Sequence, residues 1–233
     1  MEDSIKSSSI NNRRVIMEIR FDPNLDFVDR RGALLKKFKS ADVIKNSHWE
    51  LGFNDIKLFD TTTATNNRKL VFCDMKRISM SSSLTETNES FSHFFEKAFA
   101  SFKAVFDRFD IIRIGCRIQG TYKCKSNDYS TIVTNFIKLF PDKFLLEDFN
   151  AKDFKFNLVY QNGQYNIGPI NKDDNFIKTN FAYEEANSSV GFGIDTDNFM
   201  VKDKDFLDEK SIMDVYKASL SVEKRLFDNL SSL

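Results

Sequence analysis

The second half of this 233-residue chain repeats, in degenerate form, the order of elements written in its first half, and that repetition restricts the folds open to it. VIMEIRF at 15–21 opens one half and IIRIGCRI at 111–118 opens the other. Val15, Met17, Ile19 and Phe21 alternate with Arg14, Glu18 and Arg20, while Ile112, Ile114, Cys116 and Ile118 alternate with Arg113, Gly115, Arg117 and Gln119. A period of two marks a strand with one buried and one polar face. The offset that aligns the two runs places Arg117 at the position of Arg20. Each half continues with a short amphipathic helix, a strand-rich stretch and a long helix, closing on Phe106-Asp107-Arg108-Phe109 and on Phe227-Asp228-Asn229-Leu230.

Residues 1–12 are polar and lack periodicity, which predicts a disordered lead-in. Asp26 is placed to cap a helix reaching Lys39, with Phe27, Leu34, Leu35 and Phe38 on one stripe. Up to four antiparallel strands follow between Val43 and Leu84, the clearest spanning Lys69 to Ile78. Phe91, Phe94, Phe95, Ala98, Phe99, Phe102, Val105, Phe106 and Phe109 recur at helical steps and predict a long helix against a sheet. In the second half Asp128 caps a helix carrying Ile132, Val133 and Phe136. Strands are expected at 154–160, 164–170, 176–183 and 190–201, the first two joined by an Asn162-Gly163 turn. A last helix is expected from Asp208 to Leu230, its start charged by Asp205 and Asp208. The predicted fold is α+β: two degenerate strand, helix, three or four strand, long helix repeats, with antiparallel sheets and the long helices packed on one face. Residues 13–109 and 110–233 form the two repeats of one compact unit.

Lys and Arg number 34, as do Asp and Glu, so the formal net charge is zero. Proteins that coat nucleic acid draw affinity from counterion release and carry a basic excess, which disfavours that class. No apolar window suits a membrane span, and the first residues lack the core of a secretory signal, so a cytoplasmic protein is expected. Cys73, Cys116 and Cys124 are odd in number, without paired spacing, and fit reduced thiols. Chemistry-bearing motifs are sparse. No GxSxG occurs, and Gly191-Phe192-Gly193 lacks a third glycine and a following helix, so it reads as a strand kink or bulge. Glu89, His93 and Glu96 would share a helix face, a solvated polar face being the plainer account. A zinc site would require His48 and His93 to converge, and Asp195, Asp197, Asp203 and Asp205 lack EF-hand spacing. No catalytic residue, cofactor or metal is assigned, which points away from an enzyme.

Arginines are the least ordinary feature. Arg13, Arg14, Arg20, Arg113 and Arg117 fall on or beside the two opening strands, where guanidinium groups suit phosphate or carboxylate recognition. The candidate binding face is Arg14, Glu18, Arg20, Arg113, Arg117 and Gln119; pairing with acids such as Glu18 and Asp22 is the alternative account. The expectation is a protein-partner adaptor, regulator or inhibitor acting through the sheet face or exposed strand edges, with a homodimer allowed. Nucleic-acid or nucleotide binding through the arginines is the first alternative. A small-ligand cavity lined by Phe95, Phe99 and Phe102 is the second.

The runs VIMEIRFDP, RKLVFCDMKRISMSSSLTETNESFSHFFEKAFASFKAVFDRF with IIRIGCRIQGTY, and GFGIDTDNF before the terminal helix resemble an uncharacterised, sporadically distributed prokaryotic family of proteins of about this length. That resemblance implies a setting beside antiviral defence genes and supplies no catalytic residues. The order of elements also looks like the duplicated, helix-gripping architecture of the TATA-binding-protein fold, a likeness of topology that does not transfer function.

Overall fold

The computed structural model describes residues 5–62, 67–83, 88–139, 154–160, 162–181, 189–202 and 207–233. A long strand, β1 (Ile10–Phe21), is followed by helix α1 (Phe27–Ser40), strands β2 (His48–Leu51), β3 (Asp55–Phe59), β4 (Lys69–Asp74) and β5 (Arg77–Ser83), and helix α2 (Asn88–Lys103). A second long strand, β6 (Ile111–Tyr122), leads into α3 (Tyr129–Ile137), β7 (Phe156–Tyr160), β8 (Gly163–Ile170), α4 (Asn175–Asn180), β9 (Gly191–Val201) and α5 (Glu209–Leu230). The fold is α+β. The nine strands among the described residues belong to one antiparallel sheet in the order β2-β3-β4-β5-β1-β6-β9-β8-β7.

The two opening strands therefore lie side by side at the centre, Met17 facing Cys116 and Ile19 facing Ile114. Their alternation sends Val15, Met17, Ile19 and Phe21, with Ile114, Cys116 and Ile118, to one face. There α2 lays Phe91, Phe94, Phe95, Phe99 and Phe102, and α5 lays Ile212, Val215 and Tyr216, into one continuous core. α1 packs on α2 and β3, and α3 packs on β8 and β9. Each fully buried Phe contributes roughly 1.5–3 kcal/mol of transfer free energy. The core crosses from the first half into the second without a break.

Several local expectations are corrected. Order begins before Arg13: Ser7–Ser9 form a 3-10 turn, β1 starts at Ile10, and Lys123 N–H donates to the Ser9 carbonyl at 2.9 Å. Strand pairing with the far end of β6 outweighs the polar composition of this segment. The run Lys69 to Ile78 is a hairpin, turned at Met75-Lys76, where the Asp74 carboxylate accepts from Lys76 N–H at 2.8 Å. Asp26 precedes α1, but its side chain accepts no capping hydrogen bond. α2 ends at Lys103, short of Phe106 and Phe109, because the chain must turn there to enter β6. Phe106 still packs against Phe27 and Phe102, with ring centroids 5.9 and 5.0 Å away. Phe227 to Leu230, by contrast, is the last turn of α5, so the two similar quartets adopt different structures.

In the second half, the segment expected as a strand from Phe176 is the helix α4. Asp174 caps it, accepting from Phe176 N–H at 2.8 Å, and this local capping overrides the β-favouring pattern; Ala182 and Tyr183 lie outside the described residues. Gly163 is the first residue of β8, opposite Tyr160, and is not a turn residue. Gly191 and Gly193 sit in regular pairing within β9, with no bulge. A Cβ at Gly191 would collide with the Tyr122 carbonyl oxygen, so close backbone approach explains that glycine. The capping of α5 is as expected at Asp208, which forms a reciprocal box with Ser211. Asp205 lies outside the described residues.

Candidate interaction surface

Opposite the helices, the central strands present Arg14, Glu18 and Arg20 from β1 beside Arg113, Arg117 and Gln119 from β6, so the six residues expected on one face do share it. Antiparallel register sets Arg20 directly across from Arg113, whereas Arg117 lies across from Ile16. Sequence equivalence of Arg20 and Arg117 is thus not adjacency. Glu18 is the hub of the cluster. Its carboxylate accepts from Arg20 at 2.6 Å, from Arg77 of β5 at 3.1 Å and from Arg113 at 3.3 Å. Arg77 also bonds Asp74 at 3.0 Å, and Arg113 reaches Asp197 of β9 at 3.4 Å. Arg117 grips Asp195 with two hydrogen bonds, 2.8 and 2.7 Å. Arg20, Arg77, Arg113 and Arg117 thus meet four carboxylates, and the charges within this cluster balance. Burial pushes the Asp197 carboxyl above its ordinary range, partly offset by Arg113 and Arg117. Asp22, the other expected partner, is exposed and forms no ion pair with these arginines among the described residues.

The other end of this face is covered. α4 crosses it: Gln119 donates to the Asn180 side chain at 2.7 Å, and Arg14 donates to the Asn180 carbonyl at 3.4 Å and to Asn67 at 2.9 Å. Gln119 is consequently buried, as is Phe181 at the end of the same segment.

Arg13 does not join this face. It points among the helices, where its guanidinium makes two bonds, 2.6 and 2.8 Å, to Glu223 of α5. Tyr122 donates its hydroxyl to the same carboxylate. Burial pushes the Tyr122 hydroxyl far above its usual range. For Arg13, burial works against the charge, but Glu223 outweighs it and holds the guanidinium protonated.

Glu89, His93 and Glu96 are exposed on α2, and His48 lies on the edge strand β2 against Phe59. Among the described residues no group of three metal-ligating side chains comes together. Asp203 and Asp205 lie outside the described residues. Cys73 and Cys116 are buried in strands, and burial pushes the Cys116 and Cys124 thiols up to about 12, so neither is poised as a nucleophile.

Phe95, Phe99 and Phe102 pack solidly, Phe95 stacked on Phe99 at 5.9 Å and Phe102 against Phe21 at 5.3 Å, as core, so the alternative of a ligand cavity lined by them is not met. An open groove of about 710 Å³ lies instead under α5, lined by Leu158, Tyr165, Met200, Ala218, Val222 and Arg225 among others. In it Asn198 accepts from the Tyr165 hydroxyl at 2.7 Å, and its amide nitrogen has no hydrogen-bond partner among the described residues.

Both outer edges of the sheet carry exposed apolar side chains. All four residues of β2 are exposed, Trp49 to 48%, and Phe53 in the following turn is 77% exposed. At the opposite edge β7 exposes Val159. Sequence reading missed the β2 edge. Its signal was the lone Trp of the chain a few residues after a run of lysines. No protein-family model matches the chain, and comparison with curated proteins finds no match.

Proposed function

We propose that this chain is a non-enzymatic binding protein whose partner is another protein, docked along an outer edge of the nine-stranded sheet. Its role on this reading is that of an adaptor, regulator or inhibitor in a multi-gene, cytoplasmic system. The observation that carries it is β2, an outermost strand whose outer backbone edge pairs with no strand among the described residues and is flanked by exposed Trp49, Leu51 and Phe53. A bare strand edge offers unpaired N–H and C=O groups, and apolar side chains beside it supply the desolvated contacts that strand addition uses. No helix among the described residues is long and apolar enough to cross a membrane. The balanced arginine cluster gives nucleic-acid binding no support, since every guanidinium in it is already met by a carboxylate. The order of strands, four outside β1 and three outside β6, favours a duplicated saddle of the TATA-binding-protein kind as the ancestry of the scaffold.

The test is affinity capture from the native host with the wild-type chain and with a Trp49→Ala, Leu51→Lys variant. A stoichiometric protein bound by the first and lost by the second supports the reading. Nuclease-sensitive nucleic acid without a protein, or a partner indifferent to the variant, rejects it. Small-ligand binding is a second reading, favoured by the groove under α5 and the amide of Asn198 in it, which has no hydrogen-bond partner among the described residues. Mass spectrometry of the native protein, without and with Val222→Trp to fill the groove, checks it: a bound species lost in the variant is required.

A further inference from the structure

Residues 36–48 hold Lys36, Lys37, Lys39 and Lys45 against a single acid, Asp42, in a chain whose charges balance overall. All four lysines are exposed, and none has an ion-pair partner among the described residues. This differs from the arginine cluster, in which each cation is neutralised on the spot. One of them, Lys39, contacts β2, and two more are close to it along the chain. Lys36 and Lys39 lie one turn apart on α1, and Lys45 comes three residues before His48. The Lys39 ammonium sits 5.9 Å from the Trp49 ring centroid. Trp49 pairs across the ladder with Leu58, and Leu51 with Ile56, both fully buried under the helices. Directly paired residues share a face, so Trp49 and Leu51 extend the core surface one strand further, beneath the end of α1. On the reverse face Glu50 is neutralised by Lys57 at 2.9 Å.

From this placement, and resting on the protein-partner reading above, we propose that the free edge of β2 with Lys36, Lys39 and Lys45 is a docking site for an extended, net-acidic segment of a partner protein. An added strand would hydrogen-bond to β2, bury apolar side chains on Trp49 and Leu51, and bring its carboxylates to the three lysines. Like charge disfavours a second copy of this chain at the same edge, since β2 against β2 would bring both sets of lysines together. A nucleic acid would use the cations but leave the free backbone edge and Leu51 unused.

Trp49 is the single tryptophan, so its fluorescence reports directly from the site. The experiment titrates the full chain with a short peptide alternating Glu and Val, a Lys-Val counterpart, and an oligothymidine strand. A saturable fluorescence change with the Glu-Val peptide alone is expected. In a Lys36→Glu, Lys39→Glu, Lys45→Glu variant, affinity should fall about tenfold or more, and added salt should weaken wild-type binding steeply. These exposed positions leave the core untouched, and circular dichroism verifies the fold. No response to the acidic peptide, an equal response to the basic one, or tighter binding of the oligonucleotide overturns the proposal. A host partner that needs Trp49 and Leu51 but ignores the three charge reversals also overturns it, while leaving the protein-partner reading intact. Conversely, absence of any host partner at β2 counts against that reading alone, because the peptide titration decides this site independently.

Discussion

Arg13 and Glu223 stand 210 positions apart and meet inside the core through two hydrogen bonds, 2.6 and 2.8 Å long. The pair ties the start of β1 to the middle of α5, and the Tyr122 hydroxyl closes the arrangement from β6. Removing one member of such a pair leaves the other charge buried and alone, which costs far more than the pair itself contributes.

Glu223→Gln is therefore expected to destabilise the protein by about 3–5 kcal/mol, and Arg13→Met with Glu223→Leu to recover most of that loss. Urea unfolding of the single and double variants measures both. A single variant within about 1 kcal/mol of wild type would show that the ion pair is not desolvated as its surroundings indicate.

Phe102 is fully buried and touches the rings of Phe21, Phe106 and Phe109. Phe102→Ala should cost about 3–5 kcal/mol through the cavity it leaves. Phe53→Ala, at an exposed turn, should change stability by no more than about 0.5 kcal/mol while weakening partner binding. Chemical denaturation alongside the binding assay separates the two roles.

Glu18 balances three arginines from three strands. In Glu18→Gln the hydrogen-bond acceptor survives but its charge does not, so the cluster becomes a site with excess positive charge. Expected results are a loss of about 2 kcal/mol in stability and a gain of salt-sensitive retention on heparin absent from wild type. If the variant elutes with wild type, local rearrangement has absorbed the charge and the account of Glu18 as hub fails.

At the start of α5, hydrogen bonds from the Ser211 backbone N–H and hydroxyl hold the Asp208 carboxyl below its ordinary value of 3.8. A lowered folded-state value means the unfolded chain binds the proton more readily. The cap thus stabilises above the unfolded value and fades as pH falls through the folded one. Asp208→Ala should lower the urea midpoint at neutral pH, and the gap from wild type should close in acid. A gap unchanged down to pH near 2 would contradict this.

The alternation along β1 and β6 was readable because each strand has one face in a core, and the Asp208 cap because it is a short-range motif. What escaped depended on neighbours distant in sequence. The acids that neutralise the arginines, Asp74, Asp195 and Asp197, come from β4 and β9, and only strand register reveals that they are in reach. Arg13 and Arg14 are adjacent and identical in type, yet the two-residue period sends one into the core and the other under α4. The Phe stripe of α2 packs as its helical spacing indicated, and the open groove lies under α5 instead. Five Phe of α2 fill the first interface, whereas Ala218 and Val222 line the open groove at the second.

The pairing of β1 with β6 has a consequence for synthesis on the ribosome. β1 emerges well ahead of β6, and its inner edge stays bare until roughly a hundred further residues have been added, a delay of several seconds or more at ordinary elongation rates. Arg13 waits longer still, for the segment that carries Glu223. The first half of the nascent chain can gather β2 to β5 around α1 and α2, but its central strand remains a sticky template. Whatever shields that template from other nascent chains, a chaperone or simply speed, governs the yield of this fold in the cell.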